Sequence, residues 1–285
     1  MLLKVSPYIK DDRTYIKWDT FLMTHRFPNL GNPQSYNDKI NWLKLNYKQP
    51  IYTDWVDKDK AKSLAAERIG TSHIISTLGI WNSFDEIDFG KLPNQFVLKT
   101  THDSGGVVIC DDKSRFDIAA AKRKINASLR RNWYYVHREY PYKDCERKII
   151  AEEFLSDGSD KGLVDYKFFC FDGEPKMVYV GSARMGKQQL DHFDMDFNLL
   201  PFERHFHHAD ITPTKPESFE QMKEIASRLA KGFLHVRVDL YDINGHIYFG
   251  ELTFFPGAGI REFNPEEWDY KVGEWLKLPN SVGAF

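Results

Sequence analysis

The spacing of apolar positions along the chain changes period several times, and each change marks an element. Residues 1–50 mix aromatic and basic side chains and are broken by Pro7, Pro28, Pro33 and Pro50. They read as short helices and loops laid on a core supplied from elsewhere. From Asp57 the spacing turns helical: Ala61, Leu64, Ala65 and Ile69 share one face, and Gly70 stands at the stop. After a connector through Pro93, QFVLKTTHDSGGVVIC sets two β-type runs around a polar, Gly-bearing loop. Residues 117–131 predict an amphipathic helix with Asp117 as N-cap and Ile118, Ala121, Ile125 and Leu129 inward. IIAEEFL (149–155) has the pattern of a short buried strand, and YKFFCFDGEPKMVYV (166–180) that of a hairpin turning at Asp172-Gly173. A third helix fits 218–231, with Ser218 and Gln221 at capping-box spacing and a stripe of Phe219, Met222, Ile225, Ala226 and Leu229. FLHVRVDLYDINGHIYFGELTFF closes the set as another hairpin. Strands and helices thus alternate through hairpins rather than strict βαβ units, which predicts an α+β or mixed α/β fold.

Composition narrows the class. Hydrophobic residues make up 42% and charged residues 28%, as in ordinary globular proteins, and a net charge of −2 argues against a broad basic surface for nucleic acid. No apolar run reaches the ~18 residues of a membrane span. Cys110, Cys145 and Cys170 are far apart and odd in number, which points to free thiols in a reducing compartment. MLLKVSPYIK is too short in apolar run for a signal peptide, so a cytoplasmic protein is expected.

Candidate chemistry begins with Asp239 and Glu251, acids set inside apolar strands where an unpaired charge is costly. Side chains alternate along a strand, so the turn decides whether the two carboxylates meet. A two-residue Asn244-Gly245 loop pairs 239 with 250 and sends the carboxylates of 239 and 251 to opposite faces. A three-residue loop, Ile243-Asn244-Gly245, with a bulge at Gly245 brings Arg237, Asp239, Glu251 and Thr253 to one face, and it is the expected form. Two carboxylates about 7–8 Å apart on that diagonal can hold Mg²⁺ and leave room for phosphate oxygens. A structural pairing of Arg237 with Glu251 is the other reading. Lys99, at a strand end before Ser104-Gly105-Gly106, suits phosphate: the ammonium is a compact charge, and glycines admit backbone N–H groups. The sequence is neither a Walker loop nor a dinucleotide fingerprint. The IIAEEFL strand can offer adenine its backbone edge, with Ile150 or Leu155 against the ring.

In their order, these parts resemble the ATP-grasp superfamily. NPQSYNDKINWLKL, LGIWNSFDEIDF, LPNQFVLKTTHDSGG, IIAEEFL, DYKFFCFDGEPK and VRVDLYDINGHIYFGELTFFPGAG are similar to the TupA-like ATP-grasp family of teichuronopeptide and bacterial surface-polysaccharide synthesis, over about residues 20 to 280. The resemblance implies two lobes of antiparallel-rich sheet with helices, behind an N-terminal helical segment. The expected divisions are 1–77 for that segment, 78–155 for a small lobe and 156–285 for a large one. It implies ATP and Mg²⁺ as cofactors. Lys99 would hold phosphates under the loop Ser104, Gly105 and Gly106, and Glu152, Glu153, Phe154 and Leu155 would be the hinge reading adenine. Asp165 would sit near the ribose, Lys167 near phosphate or substrate, and Arg237 at the γ-phosphate or acyl phosphate. Asp239 and Glu251 would ligate Mg²⁺; Thr253 stands where many ATP-grasp enzymes have Asn, and makes a weaker ligand.

The implied reaction joins a carboxylate to an amine through an acyl phosphate, with an anionic saccharide or an amino acid as substrate. Arg184, Lys187 and Arg261 are loop cations that could meet it, and His102 is a candidate base for the amine. Two rival readings stand beside this one. Asp194-Met195-Asp196 matches the D-x-D signature of a metal-dependent glycosyltransferase. His205, His207 and His208, with His192 nearby, invite a zinc site but lack a second ligand group at a typical spacing, which favours a surface loop.

Overall fold

A computed structural model describes residues 5–158, 163–184 and 187–279, with the side chains of 182–188 excepted. The aromatic-basic N-terminus forms helices α1 (Asp12–Thr24), α2 (Tyr36–Asn46), α3 (Ile51–Val56) and α4 (Lys60–Ile69). α4 buries Ala61, Ala65 and Ile69 and stops at Gly70, whose φ of 95° suits glycine.

Strands β1 (Thr77–Trp81), β2 (Phe96–Thr100), β3 (Val107–Cys110) and β4 (Ile149–Glu153) make an antiparallel sheet ordered β1-β4-β2-β3. α5 (Ile118–Leu129) covers one side of it, with Ala121 and Ile125 buried and Asp117 accepting from the Ala120 amide at 2.8 Å. Ile118, expected inward, is instead exposed: it is the first residue of α5, one turn before the first inward position, Ala121. Phe96, Leu98 and Ile149 join α5 in this smaller core, while Val97, Lys99 and Glu152 point to the other face. The short helix α6 (Tyr134–His137) follows.

The larger sheet holds β5 (Asp165–Phe171), β6 (Glu174–Arg184) and β7 (Lys187–Phe193), then β9 (His235–Ile243) and β10 (His246–Thr253). Its order is β10-β9-β5-β6-β7, antiparallel throughout. β8 (Glu203–Arg204) and β11 (Phe263–Asn264) form a small ribbon beside it. The turn at Asp172-Gly173 is as expected, both residues having positive φ. α7 (Phe219–Ala230) presses Phe219, Met222, Ile225 and Leu229 onto Phe168, Val236 and Val238. Ser218 does not form the expected capping box: its hydroxyl donates to Asp242 at 2.5 Å instead. The C-terminal helix α8 (Glu267–Trp275) packs on α2.

Helices α2, α3 and α4 belong to this larger core. The Tyr52 ring stacks on Phe254 at 3.7 Å, and Tyr36 meets His235 at 2.9 Å. No helix among the described residues is long and apolar enough to cross a membrane, and the three cysteines are free and buried.

Candidate active site

The β9–β10 hairpin reaches the expected face by a different route. Ile243 pairs with His246, so the loop has two residues, and Asn244 (φ 53°) and Gly245 (φ 84°) are both left-handed, as a type I′ turn requires. The bulge expected at Gly245 lies at Gly250: the register slips between Phe249 and Glu251, and Glu251 then pairs directly with Asp239 and Thr253 with Arg237. Asn-Gly is the strongest type I′ pair, which accounts for the tight turn. Gly250 admits the bulge because a Cβ there would lie 3.0 Å from the Asp239 carbonyl oxygen. The two carboxylates are direct cross-strand neighbours, closer than the diagonal spacing expected.

Arg237, Asp239 and Tyr241 project from the face opposite α7, and β5 adds Asp165 and Lys167 in register with Tyr241 and Asp239. The buried Asp239 receives Lys167 Nζ on Oδ2 at 2.6 Å, and Arg237 through Nε and Nη2, both at 2.7 Å. Burial opposes its charge, yet Arg237 and Lys167 hold the carboxyl below the usual carboxylate range. Arg237 Nη2 also reaches Glu251 Oε1 at 3.1 Å, where the Thr253 hydroxyl donates at 3.3 Å. Asp165 lies 3.3 Å from Lys167, but burial raises its pKa, and its Oδ1 is a buried acceptor with no hydrogen-bond partner. Three carboxylates thus face two cations. That excess of one negative charge and the orphaned oxygen suit a divalent cation and a hydroxyl donor. No group of three His, Cys, Asp or Glu that could hold a metal occurs among the described residues. Asp239 and Glu251, adjacent across the ladder, are the two carboxylates here that could hold a magnesium ion together with phosphate oxygens.

A cleft of about 630 Å³ lies between Tyr241 of this face and the smaller sheet, and Asp165, Lys167, Arg237, Asp239 and Glu251 are not among its lining residues. Ile75, Val97, Val107 and Ile109 give it an apolar wall, Glu152 to Leu155 an edge, and Tyr241 closes it from the large sheet. Such a slot fits a flat ring. Ile150 does not line it; Leu155 does. Lys99 lines the cleft and is bound to Glu152 at 2.6 Å. Lys62, from α4, takes the other oxygen of Glu152 at 2.6 Å. Burial raises the Glu152 pKa, but the two ammoniums outweigh it and keep the carboxyl low. Ser104 and Gly105 form the exposed tip of the β2–β3 loop. Below them the Asp103 carboxylate accepts from Thr100 and Ser128, and a Cβ at Gly106 would collide with both hydroxyls. His102 lies inside this support, 1% exposed, its ring against the Arg131 carbonyl at 3.0 Å; it does not line the cleft.

Arg184 and Lys187 face each other at the end of the β6–β7 hairpin, and their side chains lie outside the described set. Arg261 lies 3.2 Å from His205 at a second cavity of about 460 Å³. The remaining histidines serve separate partners: His207 meets Glu203 at 3.0 Å and His208 meets Asp191 at 2.8 Å. His192 is buried, and burial pushes its pKa down to about 3. Asp194 accepts the backbone amides of Asp196 and Asn198 at 2.9 and 2.8 Å, the geometry of a turn cap.

Lys62, Tyr241 and Glu139 were not legible as site residues. Glu139, buried with a raised pKa, has Arg237 and Glu251 among its electrostatic neighbours. Glutamates near tyrosines are common, and nothing in HREYPYK singles it out.

The family model described as TupA-like ATPgrasp matches residues 38–277, and the chain belongs to that family; it is an ATP-grasp ligase. A search of curated proteins finds no match. Among solved structures, D-alanine–D-alanine ligase from Helicobacter pylori shares 14% identity at a TM-score of 0.48, over 87% of this chain and 68% of that one. The ligase of the same name from Bacillus anthracis, complexed with ATP, shares 16% at 0.43, over 71% and 56%. The ATP-grasp ligase PsnB, with precursor, Mg and ADP, shares 10% at 0.41, over 80% and 61%. At these values the likenesses carry no functional argument, and the family match alone makes the assignment.

Proposed function

We propose that the chain is an ADP-forming carboxylate–amine ligase that binds Mg-ATP in the cleft between its sheets. The observation that carries this is the single face shared by Asp165, Lys167, Arg237, Asp239 and Glu251, which continues into Tyr241, a wall of the same cleft that Lys99 lines. The adenine packs on the apolar wall and hydrogen-bonds the Glu152–Leu155 edge. Asp165 accepts from the ribose, Lys99 binds phosphate, and Ser104 to Gly106 cover it. Asp239 and Glu251, the latter accepting from the Thr253 hydroxyl, would hold Mg²⁺, which would supply positive charge to offset that of the phosphates.

Lys167 and Arg237 stabilise the γ-phosphoryl group as it passes to a substrate carboxylate oxygen, giving an acyl phosphate and ADP. The amine then attacks the acyl carbon, phosphate leaves, and the amine's proton passes to solvent as the amide forms. The family's tie to surface polysaccharides makes a uronic acid or amino acid of a surface polymer the substrate class. Arg184, Lys187 and Arg261 would meet its negative charge. His102, bound to Arg131 inside the loop support, would act only by holding that loop. The test is to supply ATP, Mg²⁺ and panels of acids and amines, and to separate the nucleotides formed. ADP and phosphate released only with both co-substrates are expected; AMP would overturn the mechanism.

A further inference from the structure

The outer face of α1 carries surface that the nucleotide site does not use. The Asp11 carboxylate caps the helix by accepting the Thr14 amide at 3.0 Å, and Tyr15, Ile16, Asp19 and Thr20 turn inward. The opposite stripe holds Trp18, Phe21 and Leu22, one turn apart. Past His25, whose φ is 56°, the chain folds Phe27 back onto that stripe. Phe27 stacks on Phe21 at 4.6 Å and meets Trp18 edge-on at 5.5 Å. Trp18, Leu22, Met23 and Phe27 are each 48–54% exposed. A contiguous aromatic surface of this kind is uncommon on a molecule that stays in water alone. Lys10, Arg13 and Lys17 rim it, all exposed, and none is in an ion pair among the described residues. The nearby acids are committed: Asp11 to the cap, and Asp12 to Arg138 at 3.1 Å and to Tyr134.

We infer that this face docks onto an anionic lipid bilayer. Trp and Phe side chains enter the headgroup boundary while a basic rim meets lipid phosphates, the pairing of signals that gives reversible peripheral binding. Charge separates this occupant from a second copy of the chain, because a two-fold contact on the same patch brings like cations together. The rim is a local feature in a chain of net charge −2. Met23 also lines the cavity of Arg261, so docking brings that cavity's mouth to the lipid surface. Any use of that placement for substrate rests on the proposed ligase reaction; the docking itself does not.

The test sediments the full chain with phosphatidylcholine vesicles, alone or with about 30% phosphatidylglycerol, at roughly 0.1 M salt. Pelleting with the anionic vesicles only is expected. Arg13→Glu with Lys17→Glu lowers the partition by about thirtyfold or more. Trp18→Ser with Phe27→Ser abolishes pelleting, and Trp18→Phe keeps it while removing most quenching of tryptophan fluorescence by brominated lipid. The exposed charge variant keeps the test valid should the aromatic variant fold poorly. Absence of pelleting on anionic vesicles overturns the inference, as does pelleting that survives both double variants. A lipid-free dimer that Trp18→Ser with Phe27→Ser dissolves also overturns it. ADP release in solution is scored separately, so neither failure is mistaken for the other.

Discussion

Asp239 loses its water on folding and keeps its charge through three short contacts from Arg237 and Lys167. Replacing it with Asn leaves two largely buried cations with only Glu251 and Asp165 beside them. The expected cost is on the order of 3 kcal/mol of stability, with ATP turnover down about 10²–10³-fold, read by urea melts and ADP release. Because the folded pKa of Asp239 is depressed, its contribution is complete above about pH 4 and is lost as pH falls through the lower folded value. The Asn variant should therefore lose less stability than the parent between roughly pH 4 and pH 2. At this scale the sequence showed the residue types but not their partners. Acids inside apolar strands are conspicuous, whereas Lys62, Glu139 and Tyr241 sit in ordinary surroundings and reach the site only through tertiary packing.

At the scale of the element, the β9–β10 hairpin was legible in outline and misplaced in detail. Asn244-Gly245 signals a tight turn, and the need for two carboxylates on one face signals a bulge. A glycine offers the same freedom at 245 and 250, so local pattern cannot choose between them. The neighbour across the ladder chooses: a Cβ at 250 would lie 3.0 Å from the Asp239 carbonyl and 3.1 Å from the Tyr241 ring. Gly250→Ala is expected to cost about 1–3 kcal/mol and to weaken Mg-ATP affinity, because relief of the clash moves Glu251 relative to Asp239. A smaller rise in melting temperature with Mg-ATP than the parent shows would report the second effect. The helices were easier to read, since their stripes are local, although Ile118 and Ser218 took positions set by neighbours the pattern does not contain.

Across the whole molecule, residues that look peripheral in sequence are built into the larger core. Tyr36, Ile40, Leu43, Tyr52 and Trp55 are buried with the strands and α7 of the large sheet. A chain lacking residues 1–56 is expected to lose cooperative melting by circular dichroism rather than persist as a smaller ligase, because Phe233, Phe254 and Phe255 would lie bare. Proline-broken, aromatic-rich segments carry no periodicity that says what they cover, so this dependence could not be read from the pattern.

The clasp of Lys62 and Lys99 on Glu152 bears on the thermodynamics of nucleotide entry. A phosphate that draws Lys99 away leaves the Glu152 carboxylate buried with a single ammonium, and its affinity for a proton rises. Nucleotide binding should then take up protons on the acid side of neutrality, as pH falls toward the ordinary carboxylate range. The enthalpy measured by titration calorimetry would vary with the ionisation heat of the buffer, and Glu152→Gln would flatten that dependence. The same clasp leaves one positive charge in excess at the cleft, and it holds Lys99 in place until an anion competes for it.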